Sequence, residues 1–194
     1  MQLHKILILV SLTFILACQG KKSGDRITIV TEAGDIEVEL YPQKAPLTVA
    51  SFLRNVREGY YDRSSFYRVL NLQNQPSNAP KTELIQGGIW QKKNKPSNTV
   101  NIPHEPTSIT GLRHIDGTLS MARTDTGTAS TEFFICVEDQ PGLDYGGPSN
   151  ADGQGYAAFG RVVKGMNIVR KVYNKPEDGQ YFIRPITIFR IEEN

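Results

Sequence analysis

Apolar residues alternate with polar ones through Ile27 and Ile29, and again through Ile36, Val38 and Leu40, with Ala33-Gly34-Asp35 at the break. A period of two gives each segment one buried and one solvated face, so this stretch predicts two strands joined by a tight turn. The period changes after Pro46. Val49, Phe52, Leu53 and Val56 follow the i, i+3, i+4, i+7 spacing of one helical face, with proline in the first turn and Gly59 just past the end. Further strands are predicted at Ser65–Leu70, Glu83–Gln86, Gly117–Ala122, Glu132–Val137 and Ala158–Val163, then a short helix near Met166–Val172 and a closing strand at Ile186–Ile191. Many short antiparallel strands with two helices point to a mainly β domain closed as a barrel, because closure removes unpaired edges.

The first residues follow a different pattern. Lys5 precedes a mostly apolar run from Ile6 to Ala17, whose twelve residues fall short of the roughly 20 that a membrane-spanning helix needs. Residues 1–17 are therefore expected to be an export signal rather than an anchor. The run ends in Ile15-Leu16-Ala17-Cys18, which resembles a bacterial lipobox, so Cys18 is expected to become the lipidated first residue of the mature chain. Several acyl chains, at about 0.8 kcal/mol per buried methylene, would hold the protein on a membrane without a transmembrane helix. Residues 18–25 would then be the lipidated cysteine and a short polar tether, with residues 26–194 as the folded domain. Seven tether residues span at most about 25 Å, which keeps that domain close to the bilayer. Residue 19 is not aspartate, which under the enterobacterial sorting rule directs a lipoprotein to the periplasmic side of the outer membrane.

Composition narrows the classes further. With 22 basic and 20 acidic residues the net charge is +2, and no basic block suggests nucleic acid. Only Cys136 remains once Cys18 is committed to lipid, so no intramolecular disulfide is expected and the domain must stand on its apolar core. His104 and His114 stand ten apart among loop residues, too sparse for a metal cluster, and are expected to be surface or structural. No Gly-x-Ser-x-Gly elbow accompanies Ser120 or Ser130, which leaves hydrolase chemistry little support. A monomer is the default expectation.

Four segments in fixed order carry a family resemblance: Phe66-Tyr67-Arg68-Val69 after Gly59-Tyr60-Tyr61-Asp62; Gln86-Gly87-Gly88; Gly117-Thr-Leu-Ser-Met-Ala-Arg-Thr124 followed by Ser130-Thr-Glu-Phe-Phe-Ile135; and Ala158-Phe-Gly-Arg-Val-Val163. Together they resemble the cyclophilins, the peptidyl-prolyl isomerases, over roughly Ile27 to Ile191. The Ala-Arg-Thr variant and Gly155-Tyr156-Ala157-Ala158-Phe159-Gly160 look most like the bacterial periplasmic branch. The resemblance implies a closed eight-stranded antiparallel β-barrel capped by two α-helices, with a packed interior and peptide bound on the outer wall. It also implies the substrate, proline-containing polypeptides.

Rotation about an X-Pro bond faces a barrier of about 18–20 kcal/mol because the amide C–N bond is partly double. A donor to the prolyl nitrogen localises its lone pair and weakens that resonance, so no nucleophile, metal or cofactor is required. Arginine suits this chemistry, since it stays charged and presents its donors in a rigid fork. On the family pattern Arg68 is that donor and Gln86 orients it. The proline socket falls to Phe134, Met121, Leu143 and Leu84, with Ala122 and Arg123 on the strand whose backbone meets the substrate. Phe133 and Phe134 are adjacent and must face opposite sides of a sheet, so one lines the core and the other the groove.

Departures from the pattern qualify this assignment. Arg68 and Gln86 are eighteen positions apart, about ten more than usual, so Asn71–Pro80 reads as an added polar loop at the groove's edge. Glu83 falls where an aromatic wall residue is usual. Glu132 replaces a glutamine; it is expected to pair with Arg123 and leave Arg68 free. Gly142 stands where many eukaryotic members carry a tryptophan that cyclosporin contacts, which implies weak binding of that drug. Tyr156 stands in for a histidine and still offers a donor and a flat face. The rival to an isomerase of exported proteins is a barrel of the same kind that binds prolyl segments as a chaperone or assembly module without fast turnover. A purely structural lipoprotein would leave the surroundings of Arg68 unexplained.

Overall fold

The structure, a computed structural model, describes residues 26–194; the expected export signal, Cys18 and the expected tether lie outside the described residues. Nine strands, all antiparallel, form one sheet: β1 (Arg26–Thr31), β2 (Gly34–Leu40), β3 (Ser64–Leu70), β4 (Leu84–Gly88), β5 (Thr118–Met121), β6 (Phe133–Cys136), β7 (Ala157–Lys164), β8 (Glu177–Asp178) and β9 (Tyr181–Glu193). Their order is β1-β2-β7-β5-β6-β4-β3-β9-β8, and β1 also pairs with β9. Eight strands therefore close a barrel, and two-residue β8 hangs on the outer end of β9. Mainly β architecture and closure agree with the sequence reading.

Among the described residues, two of three helices cover the barrel's ends. In α1 (Pro46–Arg57) the buried face is Val49, Phe52 and Leu53, as the spacing predicts, and Arg54 and Arg57 lie in the last turn where the helix dipole favours cations. No residue adjacent to the start caps it; the Glu105 carboxylate accepts from the Leu47 and Thr48 N–H groups at 3.2 and 2.7 Å instead. α3 (Met166–Tyr173) buries Val169 and Val172. The four-residue α2 (Thr107–Thr110) and a 3-10 turn at Pro141–Leu143 escape the sequence reading because neither is long enough to show a period.

Inside the barrel the Phe133 ring meets Phe52, Tyr61 and Phe66 edge-on at 5.5–5.8 Å, a geometry that aromatic quadrupoles favour. The strand registers show which residues share each face. One row across β4, β6, β5 and β7 is Gly87, Phe133, Met121 and Ala157, and it points inward. Gly87 has no room for more, since a Cβ there would lie 2.8 Å from the Phe66 ring. The neighbouring row across β3, β4, β6 and β5 is Arg68, Gln86, Phe134 and Ser120, and it points outward.

Candidate active site

A β-bulge places the central arginine. Phe66 pairs with Gly87 and Arg68 with Gln86, which leaves Tyr67 as the extra residue, and Tyr67 and Arg68 therefore both reach the outer wall. Arg68 Nη1 donates to Gln86 Oε1 at 3.0 Å. On its other side Nε and Nη2 donate to Gln180 Oε1 at 3.2 and 2.6 Å. These contacts engage three of the five N–H donors of the guanidinium and leave two for another acceptor.

Gln86 is itself fixed. Its Nε2 donates to Tyr67 Oη at 2.8 Å, and that hydroxyl donates to Glu132 Oε2 at 2.7 Å. Glu132 also accepts from the Ile89 N–H at 2.9 Å and from Thr131 Oγ1 at 3.2 Å. Burial raises the Glu132 pKa above the ordinary carboxyl range, against these hydrogen bonds, which lower it. Burial, followed by the Glu132 charge, also pushes the Tyr67 phenol well up. The chain Glu132–Tyr67–Gln86–Arg68 thus runs from a carboxyl to the guanidinium through neutral groups.

The expected pair of Glu132 with Arg123 does not form. Arg123 donates to both Asp152 oxygens at 2.7 and 2.9 Å and to the Gly155 carbonyl at 2.7 and 2.9 Å, clasping the loop that leads into β7. The Arg123 hydrogen bond holds the Asp152 carboxyl well below its usual range. Glu132 takes the Tyr67 hydroxyl instead because the bulge delivers that group to it. Arg68 makes no bond to Glu132, as the expectation required, although for a different reason. Glu83 accepts from Tyr173 of α3 at 2.6 Å, which engages it with the end cap rather than with an aromatic wall of the groove.

On the other side of Gln86, an apolar cluster separate from the barrel core is built from Leu84, Phe134, Cys136 and Leu143, with Leu70, Ala122 and Tyr156 packed against it. Tyr156 stands edge-on to Phe134 at 5.3 Å, and the Arg123 guanidinium lies 5.4 Å from the Tyr156 ring centre. Three of the four socket residues, Phe134, Leu84 and Leu143, therefore come together. Met121 does not join them: it is 1% exposed within the barrel core beside Phe133. The alternation that separates Phe133 from Phe134 applies equally to β5, where Leu119 and Met121 turn inward and Ser120 turns outward.

Behind Phe134, His114 Nδ1 donates to Asp144 Oδ1 (2.8 Å) and Nε2 bonds Ser120 Oγ (3.0 Å), and the ring stacks on Phe134 at 6.0 Å. The three residue types are those of a hydrolase triad, but Ser120 and His114 are fully enclosed, so they support the socket from below. Burial raises the Asp144 pKa, and the hydrogen bonds from His114 outweigh that and lower it. His104 holds the Gln154 carbonyl at 3.0 Å, a structural role. Among the described residues no group of His, Cys, Asp or Glu could hold a metal.

An open groove of about 390 Å³ lies beside the arginine, lined by Arg68, Gln86, Ala122, Arg123, Thr124 and Glu132 and walled by Tyr67, Trp90 and Tyr181. Trp90 stacks on Tyr181 at 5.7 Å and packs against Tyr67 at 5.3 Å. Gln180, Trp90 and Tyr181 escape the sequence reading. A turn signal at Asp178-Gly179 is the available pointer to Gln180; nothing in the sequence distinguishes Trp90 or Tyr181.

The family model described as cyclophilin type peptidyl-prolyl cis-trans isomerase/CLD matches residues 26–193. The chain is 34% identical to peptidyl-prolyl cis-trans isomerase A of Dickeya dadantii over 88% of this chain and 82% of that one. It is 37% identical to peptidyl-prolyl cis-trans isomerase B of Escherichia coli over 75% of this chain and 82% of that one. Among solved structures, a cyclophilin type peptidyl-prolyl cis-trans isomerase of Cryptosporidium parvum, crystallised in the presence of the dipeptide Ala-Pro, superposes with a TM-score of 0.67 at 25% identity, covering 87% of this chain and 98% of that one.

Proposed function

The chain belongs to the cyclophilin-type peptidyl-prolyl cis-trans isomerase family and is such an isomerase; from that premise we propose that Arg68 drives X-Pro rotation on the outer wall of the barrel, and that the clients are exported proteins folding in a bacterial cell envelope. The observation that carries the site assignment is the outward row Arg68–Gln86–Phe134, which sets a charged donor with two uncommitted N–H groups beside an apolar cluster. The prolyl ring rests against Phe134, Leu84 and Leu143 while a guanidinium N–H approaches the prolyl nitrogen. As the bond twists, the nitrogen becomes pyramidal and its lone pair localises, so the hydrogen bond strengthens only on the way to the transition state. Gln86 keeps the guanidinium from turning away.

Loss of this donor is expected to lower kcat/KM by roughly 100-fold or more. The experiment is cis-to-trans relaxation of a short X-Pro peptide, slow enough unaided to follow by hand, with the full wild-type chain and with Arg68→Ala. A variant within a few-fold of wild type would remove Arg68 from the mechanism. A folded wild type that binds the peptide without accelerating it would favour the chaperone reading. The two substitutions that motivate that reading carry less weight than the sequence suggests, because Glu83 bonds Tyr173 and Glu132 bonds Tyr67.

The location rests on the Cys18 lipobox: a lipid anchor there would hold the barrel near the periplasmic face of the outer membrane. Cys18→Ser should move the protein from the membrane fraction to the soluble fraction of an expressing bacterium. Gly142, which lies in the 3-10 turn beside Leu143, offers no indole to cyclosporin, and weak inhibition by that drug is proposed accordingly.

A further inference from the structure

We propose that Gln180 is a second positioning residue for the catalytic arginine, and that the added segment 71–82 holds it in place. The inference rests on the reading of Arg68 above and extends it to two parts of the chain that reading leaves without a role.

Gln180 lies in the two-residue turn between β8 and β9, where Asp178 pairs with Tyr181. Both central residues have positive φ, 59° at Gly179 and 108° at Gln180. A tight hairpin of this hand demands such angles, but glycine, asparagine or aspartate normally supply them. At 108° a glutamine holds a conformation that costs any residue with a side chain, and such positions persist where surroundings over-determine them, often at functional sites. Here the surroundings do so: the Gln180 N–H donates to Glu177 Oε2 at 3.0 Å, and its carbonyl accepts from the Val69 N–H at 2.8 Å.

Its side-chain amide is committed at both ends. Oε1 accepts from two Arg68 nitrogens, and Nε2 donates to the Asn74 carbonyl at 3.1 Å. That second bond fixes which end of the amide faces the guanidinium. Asn74 in turn donates from Nδ2 to the Val69 carbonyl at 3.1 Å, closing a ring through Val69, Asn74, Gln180 and Arg68. The segment around Asn74 is tied by its own amides: Asn71 Oδ1 accepts from the Gln73 and Asn74 N–H groups at 2.9 Å, and Gln75 Nε2 bridges the Asn71 and Thr82 carbonyls at 2.6 and 2.8 Å. An inserted polar stretch with this much internal bonding is a strut. Gln86 holds the guanidinium through Nη1 and Gln180 through Nε and Nη2, which leaves one donor on each terminal nitrogen.

Gln180→Gly separates this role from a structural one, because glycine relieves the backbone while removing the acceptor. We measure peptide isomerisation, thermal unfolding and solvent exchange of the Arg68 Nε–H resonance on the full chain, with Arg68→Ala in parallel. Positioning requires kcat to fall by between about tenfold and a hundredfold with KM nearly unchanged, the unfolding midpoint level or raised, and the Nε–H exchanging faster. Asn74→Ala should shift kcat and exchange the same way by less. If Arg68→Ala is inactive while Gln180→Gly keeps kcat within twofold, the inference is wrong and the reading of Arg68 stands. A midpoint that drops together with activity assigns Gln180 to the fold alone and also overturns it. A wild type without isomerase activity would sink both.

Discussion

Phe133 and Phe134 are neighbours on β6, 0% and 2% exposed, and exposure alone would call them equivalent. Their surroundings differ completely. Phe133 meets Phe52, Tyr61 and Phe66 in a core closed by the barrel itself. Phe134 packs with Leu84, Leu143 and Tyr156 in a thin layer on the outer wall, with Gln86 and Ser120 beside it in the same row and the His114 ring stacked on it. One alternation produces both faces, and the role of each depends on what covers it. Helices and opposite strands complete the inner face, and on the proposed reading a peptide completes the outer one.

The sharpest test of that contrast is truncation of each ring. Phe133→Ala removes a ring that no neighbour can replace, and unfolding in denaturant should report a loss of about 3–5 kcal/mol. Phe134→Ala should cost clearly less stability, since its outer layer can collapse onto the space. It should instead lower kcat/KM by about 10- to 100-fold, the worth of roughly 1.5–3 kcal/mol of apolar burial lost to the prolyl ring. Equal stability losses with unchanged activity in Phe134→Ala would erase the distinction between the two faces.

The same contrast explains what is legible in the sequence. Periodicity locates the hairpin, α1 and the regular strands, because burial on one face imposes a period. It fails where the backbone breaks its own rhythm. Phe66 points into the core and the bulge at Tyr67 turns both Tyr67 and Arg68 outward, whereas strict alternation from Phe66 would send Arg68 inward, away from Gln86. The end of the chain reads as a strand only from Ile186, whereas β9 begins at Tyr181 and its pairing with β3 jumps from Ile186 to Tyr181 across Phe66 and Arg68. Met121 is misplaced for the opposite reason: the alternation applied to β6 holds for β5 as well and turns it inward. Arg68, Gln86 and Phe134 are legible through family motifs. Gln180 is not, because its role depends on a loop particular to this chain and on a φ that no propensity would assign to glutamine.

The smallest expected effect concerns the polar end of the outer wall. Glu132 is a largely buried carboxyl, and burial raises its pKa despite the Tyr67, Ile89 and Thr131 donors. Glu132→Gln exchanges one acceptor oxygen for an amide and removes the charge, so at neutral pH stability should shift by no more than about 1 kcal/mol in either direction. The pH dependence has a definite sign. A carboxyl that binds its proton more tightly in the folded state contributes stability that is fully present below its unfolded pKa and is lost as pH rises through the folded value. Wild type should therefore gain on Glu132→Gln as pH falls from neutral through the folded pKa, and below the unfolded pKa of about 4.3 the gap should level off. Denaturation curves of both proteins at matched pH check this. A gap that moves against wild type on acidification would mean that the three donors outweigh burial and that Glu132 is held as a firm anion, one tied to Arg68 through Tyr67 and Gln86.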